Sequence, residues 1–321
     1  MNRSIGERQR WAWLAAGTSA VAAAKLSGLG WLWVLLGGLT VCFYYLYMDR
    51  RLAEEGLAQR LSRVFGFSGK VLAVFFLFWL VLIMGWCACF ADAAFPMIDG
   101  FPGLGWVLLA LAAWGCRRGP AACAGCAGIA CLFLLALYGI VAVFSVPNVE
   151  WQYLVPALDW QQGPAALGLF LLPACVWCIP VRGHKGKSLP LFLLLPVAAA
   201  LLSAICAGVL SPELAGESAV PVYTLAQSVS VLGVVERIEP LLSAAMTMGI
   251  FCLLSVQASA CQALADQIGS WQWSGSLCCL AAAAAMYPAA ALPGELLFFG
   301  NLVFFLLLPV AAAALEKKSE I

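Results

Sequence analysis

The chain has 321 residues, of which 64% are hydrophobic and 10% charged, and a formal net charge of +1. A soluble domain is nearer half apolar and a quarter charged, so this composition excludes a water-soluble fold and requires lipid as the solvent. The basic loops are short and explained by topology, which excludes nucleic-acid binding. The sequence holds no H-E-x-x-H, no usable G-x-S-x-G and no Gly-rich phosphate loop, so neither an enzyme, a catalytic residue nor a cofactor is expected.

In lipid every backbone polar group must be satisfied internally, which leaves helices and closed barrels. Barrel strands read as alternating runs of about ten residues; here the apolar runs are continuous, so the spans are helical. The expected class is an all-α polytopic membrane protein with about ten transmembrane helices in a single integral membrane domain over residues 1–321. No cleavable signal is expected, because Arg3, Glu7, Arg8 and Arg10 precede an apolar stretch without a convincing A-x-A site.

In chain order the predicted spans are Trp11–Ala24, Leu29–Met48, Val71–Phe90, Gly103–Cys116, Ala121–Phe144, Pro164–Pro180, Leu189–Leu210, Leu241–Leu264, Gly275–Ala291 and Leu296–Leu315. Of the 17 Lys and Arg residues, 15 fall in alternate gaps: before span one, between two and three, four and five, and six and seven, and after span ten. The positive-inside rule then puts both termini in the cytoplasm of a multi-pass cell-membrane protein. The opposite side carries Asp92, Asp99, Glu150, Asp159, Glu213, Glu217 and Glu295. Two longer connections lie there. Val146–Gly163 contains Trp151, Tyr153 and Trp160 and is expected to hold an interfacial helix. Ser211–Val235 has an acidic start, and its mixed stretch Val222–Val235 is too short and polar to span and reads as a lid or re-entrant piece.

Most of the 14 cysteines lie inside apolar runs. Cys123 and Cys126, like Cys175 and Cys178, form C-x-x-C. Metal or redox chemistry is one reading. The reading preferred here is that they behave as small buried hydrophobes, because the single histidine, His184, sits in a basic loop and no carboxylates accompany the thiols. No metal site is expected.

Span one has 14 residues and span six has 17, against the roughly 20 that a straight helix needs. Each opens a group of five spans, and the two groups run in opposite directions. Short or interrupted segments at matching positions of two halves point to a transporter-type midplane site. The expected repeats cover about 11–144 and 164–315. Gly17-Thr18-Ser19 is the expected break in span one, and Pro173 in span six, since proline removes a backbone donor. Gly-Thr-Ser also fits a small-residue packing face. Candidate ligand-binding residues are Gly17, Thr18, Ser19, Pro173, Ala174, Cys175 and Trp177.

The string Leu232-Gly233-Val234-Val235-Glu236-Arg237-Ile238-Glu239, followed by a long apolar span, resembles the G-x-x-E-R-I-E signature of spore germination permeases. That family belongs to the amino acid/polyamine/organocation transporter superfamily. Arg8-Gln9 before span one, Gly17-Thr18 within it, Trp31 opening span two and the basic loop Pro180–Lys187 are similar to the family's features over most of the chain. The resemblance implies a five-plus-five inverted repeat with an amino acid permease-like fold. It implies a membrane subunit of a spore germinant receptor in the inner membrane of the spore, sensing a small nutrient such as an amino acid. Implied partners are a larger membrane subunit and a lipoprotein. The sequence departs from the family in span six, where Phe170-Leu171-Leu172-Pro173-Ala174-Cys175 replaces an F-G-E-like segment. No carboxylate remains in that span to meet a ligand amine.

The two cations outside the topology pattern, Lys25 and Arg237, are candidates for coupling or structural roles together with Glu236 and Glu239. Glu236 and Glu239 share a helix face, and an Arg among outer carboxylates needs a partner; the alternative is an interfacial cluster wetted by headgroups. Lys25 reads either as snorkelling to the interface or as a cation beside the break. Three functions are carried forward: a ligand-sensing subunit, an amino acid permease working by alternating access, and a non-binding scaffold. Few intramembrane ionisable groups are available to couple transport.

Overall fold

The computed structural model describes residues 4–52, 55–94, 103–155, 159–182, 189–228, 239–269 and 274–319. Each expected span coincides with helical structure. In chain order these are α1 (Glu7–Ala24), α2 (Trp31–Leu52), α3 (Gly56–Ala94), α4 (Leu104–Arg118), α5 (Pro120–Ser145), α6 (Gln162–Phe170) with a 3-10 segment at Leu172–Cys178, and α7 (Leu189–Leu210). The short helices α8 (Pro212–Glu217) and α9 (Pro221–Ser228) follow, then α10 (Glu239–Ile268), α11 (Ser274–Ala290), α12 (Gly294–Asn301), a π turn at Leu302–Leu307 and α13 (Leu308–Ser319). Among the described residues six helical stretches are long and apolar enough to cross a membrane: those of α2, α3, α5, α7 and α10, and the continuous run from Gly294 to Leu315. The chain is a multi-pass helical membrane protein.

Two expectations are corrected, the break in span one and the interfacial helix after span five. Span one is not broken: α1 runs as a continuous helix through Gly17, Thr18 and Ser19. Glycine in a helix weakens it without interrupting it, and the helix keeps its backbone bonds, as an apolar surround demands. The all-α class stands, with one two-residue parallel pairing added between Ile5–Gly6 (β1) and Val181–Arg182 (β2). The connection after α5 forms two 3-10 turns, Val146–Asn148 and Trp151–Leu154, in place of an interfacial helix. Pro147 shortens any helix here, and the Glu150 amide donates instead to the Gly208 carbonyl of α7, 2.9 Å away. Of the stretch Val222–Val235, the part to Ser228 belongs to α9; the rest lies outside the described residues.

The third span begins just after a kink at Gly66, close to the expected Val71. The 39 residues of α3 are two helical stretches joined at Gly66, whose φ 54°, ψ −123° is not helical. This conformation is closed to residues with a Cβ. A Cβ at Gly66 would meet nothing within 4 Å, so strain there comes from the backbone alone. Gly66→Ala is therefore expected to cost about 1–3 kcal/mol, read as a lower thermal midpoint in detergent.

Helix α10 is the axis of the bundle and the most buried of the six crossing stretches. It packs on α1, α3, α4, α5, α11 and the 3-10 segment. The packing partners recur in pairs. Helix α1 meets α5, and α6 meets α12; α1 meets α7, and α2 meets α6; α3 meets α11, and α4 meets α10; α5 meets α10, and α3 meets α13. Helices α2 and α7 pack together, as do α3 and α10.

Polar residues close these contacts. Asn301 accepts from the Trp79 indole (3.1 Å) and donates to the Gly168 carbonyl (3.3 Å), joining α12 to α3 and α6. Asp92 at the end of α3 accepts from the Gly105 amide at 2.6 Å, satisfying an orphan donor in the first turn of α4. That gives the acid a capping role beyond its expected place on the side opposite the basic loops. Asn301→Leu strands both the indole and the carbonyl. A loss of about 1–2 kcal/mol is expected, measured as a thermal shift that Trp79→Phe does not increase further.

Candidate functional site

The sixth span is where the helical ladder fails. Helix α6 ends at Phe170, the chain tightens into 3-10 geometry over Leu172–Cys178, and Ile179 is extended. Pro173, which has no amide hydrogen, sits at the start of the 3-10 segment. All seven residues of that segment are buried. The carbonyls near the break are taken by other elements: Tyr45 of α2 donates its hydroxyl to Phe170 at 2.7 Å, and Asn301 reaches Gly168.

Three elements converge on this segment. A Cβ added to Gly17 would lie 3.2 Å from the Pro173 Cβ and 3.4 Å from the Leu253 Cδ1 of α10. The glycine is thus a point of close approach, so α1, the interrupted sixth span and α10 meet at one place. A cavity of about 20 Å³ lies beside it, with Lys25, Trp86, Phe90, Leu169, Leu172 and Leu253 in its wall. That volume suffices for about one water and not for an amino acid. The Lys25 ammonium stands 5.2 Å from the Phe90 ring centroid, a cation–π distance.

Residues adjacent in sequence part company here. Gly17 faces Pro173, whereas Thr18 and Ser19 line a larger cleft of about 300 Å³ between α1, α5 and α7. Neighbours on a helix are rotated by about 100°, so one short motif serves two faces. Pro173, Ala174, Cys175 and Trp177 are all buried in the 3-10 segment. Cys175 donates its thiol to the Leu172 carbonyl at 3.8 Å, and Cys175 and Cys178 are free thiols, as are Cys123 and Cys126. Glu236 and Arg237 lie outside the described residues; Glu239 begins the α10 backbone.

A buried ion pair joins this site from below. Arg10 of α1 is 2% exposed, and its guanidinium pairs with Asp49 of α2, itself 4% exposed. The same guanidinium lies 4.5 Å above the Trp177 ring, and Trp177 is 6.0 Å from Tyr45 by ring centroids. Arg10 thereby clamps α1, α2 and the 3-10 segment together. Sequence reasoning counted Arg10 as a topology cation and passed over Asp49. The available signal was an acid, Asp49, at the head of an otherwise basic run, Arg50-Arg51.

No protein-family model matches this sequence, and no match is found among curated proteins.

Proposed function

We propose that the chain is the polytopic subunit of a spore germinant receptor, built as two inverted groups of five spans around a transporter-like site, and that it senses a small nutrient such as an amino acid. The observation that carries this reading is the convergence of α1, the interrupted sixth span and α10 through Gly17, Pro173 and Leu253. Paired packing supports the repeat: each of the four paired contacts maps onto its counterpart when spans one to five are exchanged with spans six to ten. The Glu236-Arg237-Ile238-Glu239 string supports the family. On this reading both termini are cytoplasmic, and the companions are a larger membrane subunit and a lipoprotein.

Sensing fits better than transport. A filled junction with one small cavity is one of two packings, and a nutrient shifts their populations through its differential affinity. A scaffold reading is favoured by the same filled junction and by the missing span-six carboxylate.

Germination of spores lacking this chain tests the proposal. Loss of the response to one nutrient class, restored by the wild-type chain and not by Gly17→Leu at equal protein level, is the expected result. Normal germination of the deletion strain would remove the germinant-receptor reading. Purified protein stabilised by that nutrient supports a sensor; indifference to it with retained companions in a pull-down supports a scaffold. Uptake of labelled amino acid into proteoliposomes would favour the permease instead.

A further inference from the structure

We propose that the cleft between α1, α5 and α7 is a second binding site, separate from the junction at Pro173. Its ligand is a neutral, mainly hydrocarbon molecule bearing one hydrogen-bonding oxygen, and it enters from the bilayer. The cleft measures about 300 Å³, at the small end of the range for ligand pockets. Its floor is one face of α1, from Trp11 through Thr18 to Ala22. Its rim carries Leu135 at 40%, Leu194 at 55% and Leu201 at 60% exposure, all apolar. The mouth therefore faces lipid.

Gly139 keeps it open. This residue lines the cleft on α5, and a Cβ there would meet nothing within 4 Å. A glycine that no neighbour requires weakens its helix but leaves space for an occupant.

Thr18 indicates what the occupant offers. Three hydroxyls of α5 and α10 donate to the carbonyl four residues back: Ser145 to Val141 at 2.6 Å, Thr247 to Ser243 at 2.9 Å and Ser259 to Ser255 at 2.8 Å. The Thr18 hydroxyl, in a side chain that is 2% exposed, has no hydrogen-bond partner. A buried hydroxyl without a partner is costly, and an oxygen-bearing ligand removes that cost. Tyr138 closes the wall by donating to the Ser19 carbonyl at 3.2 Å, which leaves its oxygen able to accept. No charged side chain lines the cleft among the described residues. A carboxylate or ammonium would be desolvated without a counter-charge, and a plain lipid tail offers nothing to Thr18.

The full-length protein in nanodiscs, photolabelled with a diazirine derivative of octanol, tests this directly. Labelling concentrated on 135–142 and 194–202 is expected, with unlabelled octanol competing about tenfold better than octanoate or octylamine. Thr18→Val should weaken octanol competition several-fold, and Gly139→Leu or Ala198→Phe should abolish the labelling in protein that stays monodisperse. Equal labelling of the outward-facing Ile129 and Leu132, 68% and 72% exposed, unaffected by Gly139→Leu, would overturn the site as simple partitioning. Indifference to Thr18→Val would overturn it as a slot for lipid tails, and equal competition by the ionised analogues would overturn the charge argument. The assay needs no spores or companion subunits, so its failure is distinct from failure of the receptor reading.

Discussion

Arg10→Met is expected to be the most damaging single substitution in this chain. It leaves the Asp49 carboxylate, 4% exposed, without the guanidinium that faces it. Breaking a buried pair from one side costs about 3–5 kcal/mol. Loss of the stack on Trp177 adds about 0.5–2 kcal/mol. A fall of about 10 °C or more in thermal midpoint follows, measured by size exclusion of detergent-solubilised protein after heating. Arg10→Met combined with Asp49→Leu should recover most of that loss, because replacing both charges with apolar groups is often close to neutral. If the double variant is no more stable than the single one, the damage arises from packing and not from the lost ion pair. A single variant as stable as wild type would show that the pair contributes nothing to the fold.

Gly38→Leu is the second large effect. Helix α2 carries Gly37 and Gly38 where other elements press against it. A Cβ at Gly37 would come within 3.2 Å of both Ala166 Cβ and the Leu167 amide of α6. One at Gly38 would come within 2.9 Å of the Phe170 ring and closer still to Pro196 of α7. Phe170 is the last residue before the sixth span gives way, and Pro196 lies inside α7, so neither neighbour can withdraw easily. Overpacking of this kind costs about 1–3 kcal/mol and occasionally more, and it displaces α6 from the junction at Gly17. Reduced yield of folded protein and loss of any nutrient-dependent stabilisation are expected together. Gly125→Leu is the control, since a Cβ at Gly125 meets nothing within 4 Å. Equal damage from the two substitutions would mean that helix α2 is not held by this contact.

Hydropathy made the spans legible because a run that must hide its backbone from lipid has little choice but to be helical. Leu189–Leu210 matches its helix at both ends. The third span is legible from Val71, and the non-helical Gly66 separates it from the helical stretch of mixed polarity that precedes it. The site was legible in part. Pro173 marks a real interruption because a missing amide hydrogen acts locally. Gly17 was misread as a break, since its purpose lies in a neighbour 156 positions away in sequence, Pro173. Thr18 and Ser19 were assigned to the same pocket as Gly17, although a helical turn sends them to a different wall. Arg10 and Asp49 escaped notice for a related reason. Their pairing spans 39 positions, and an arginine ahead of a first apolar run satisfies the topology rule without revealing that it points inward.

The two-residue ladder between Ile5–Gly6 and Val181–Arg182 has a mechanical consequence. The Ile5 amide donates to the Pro180 carbonyl at 3.1 Å, so the amino-terminal tail is stitched to the chain just after the interrupted segment. A companion polypeptide that grasped the tail would have a handle on that segment without entering the bilayer. Motion at the core would likewise travel outward along the same stitch, which makes a fluorophore attached near Ser4 a natural gauge of it.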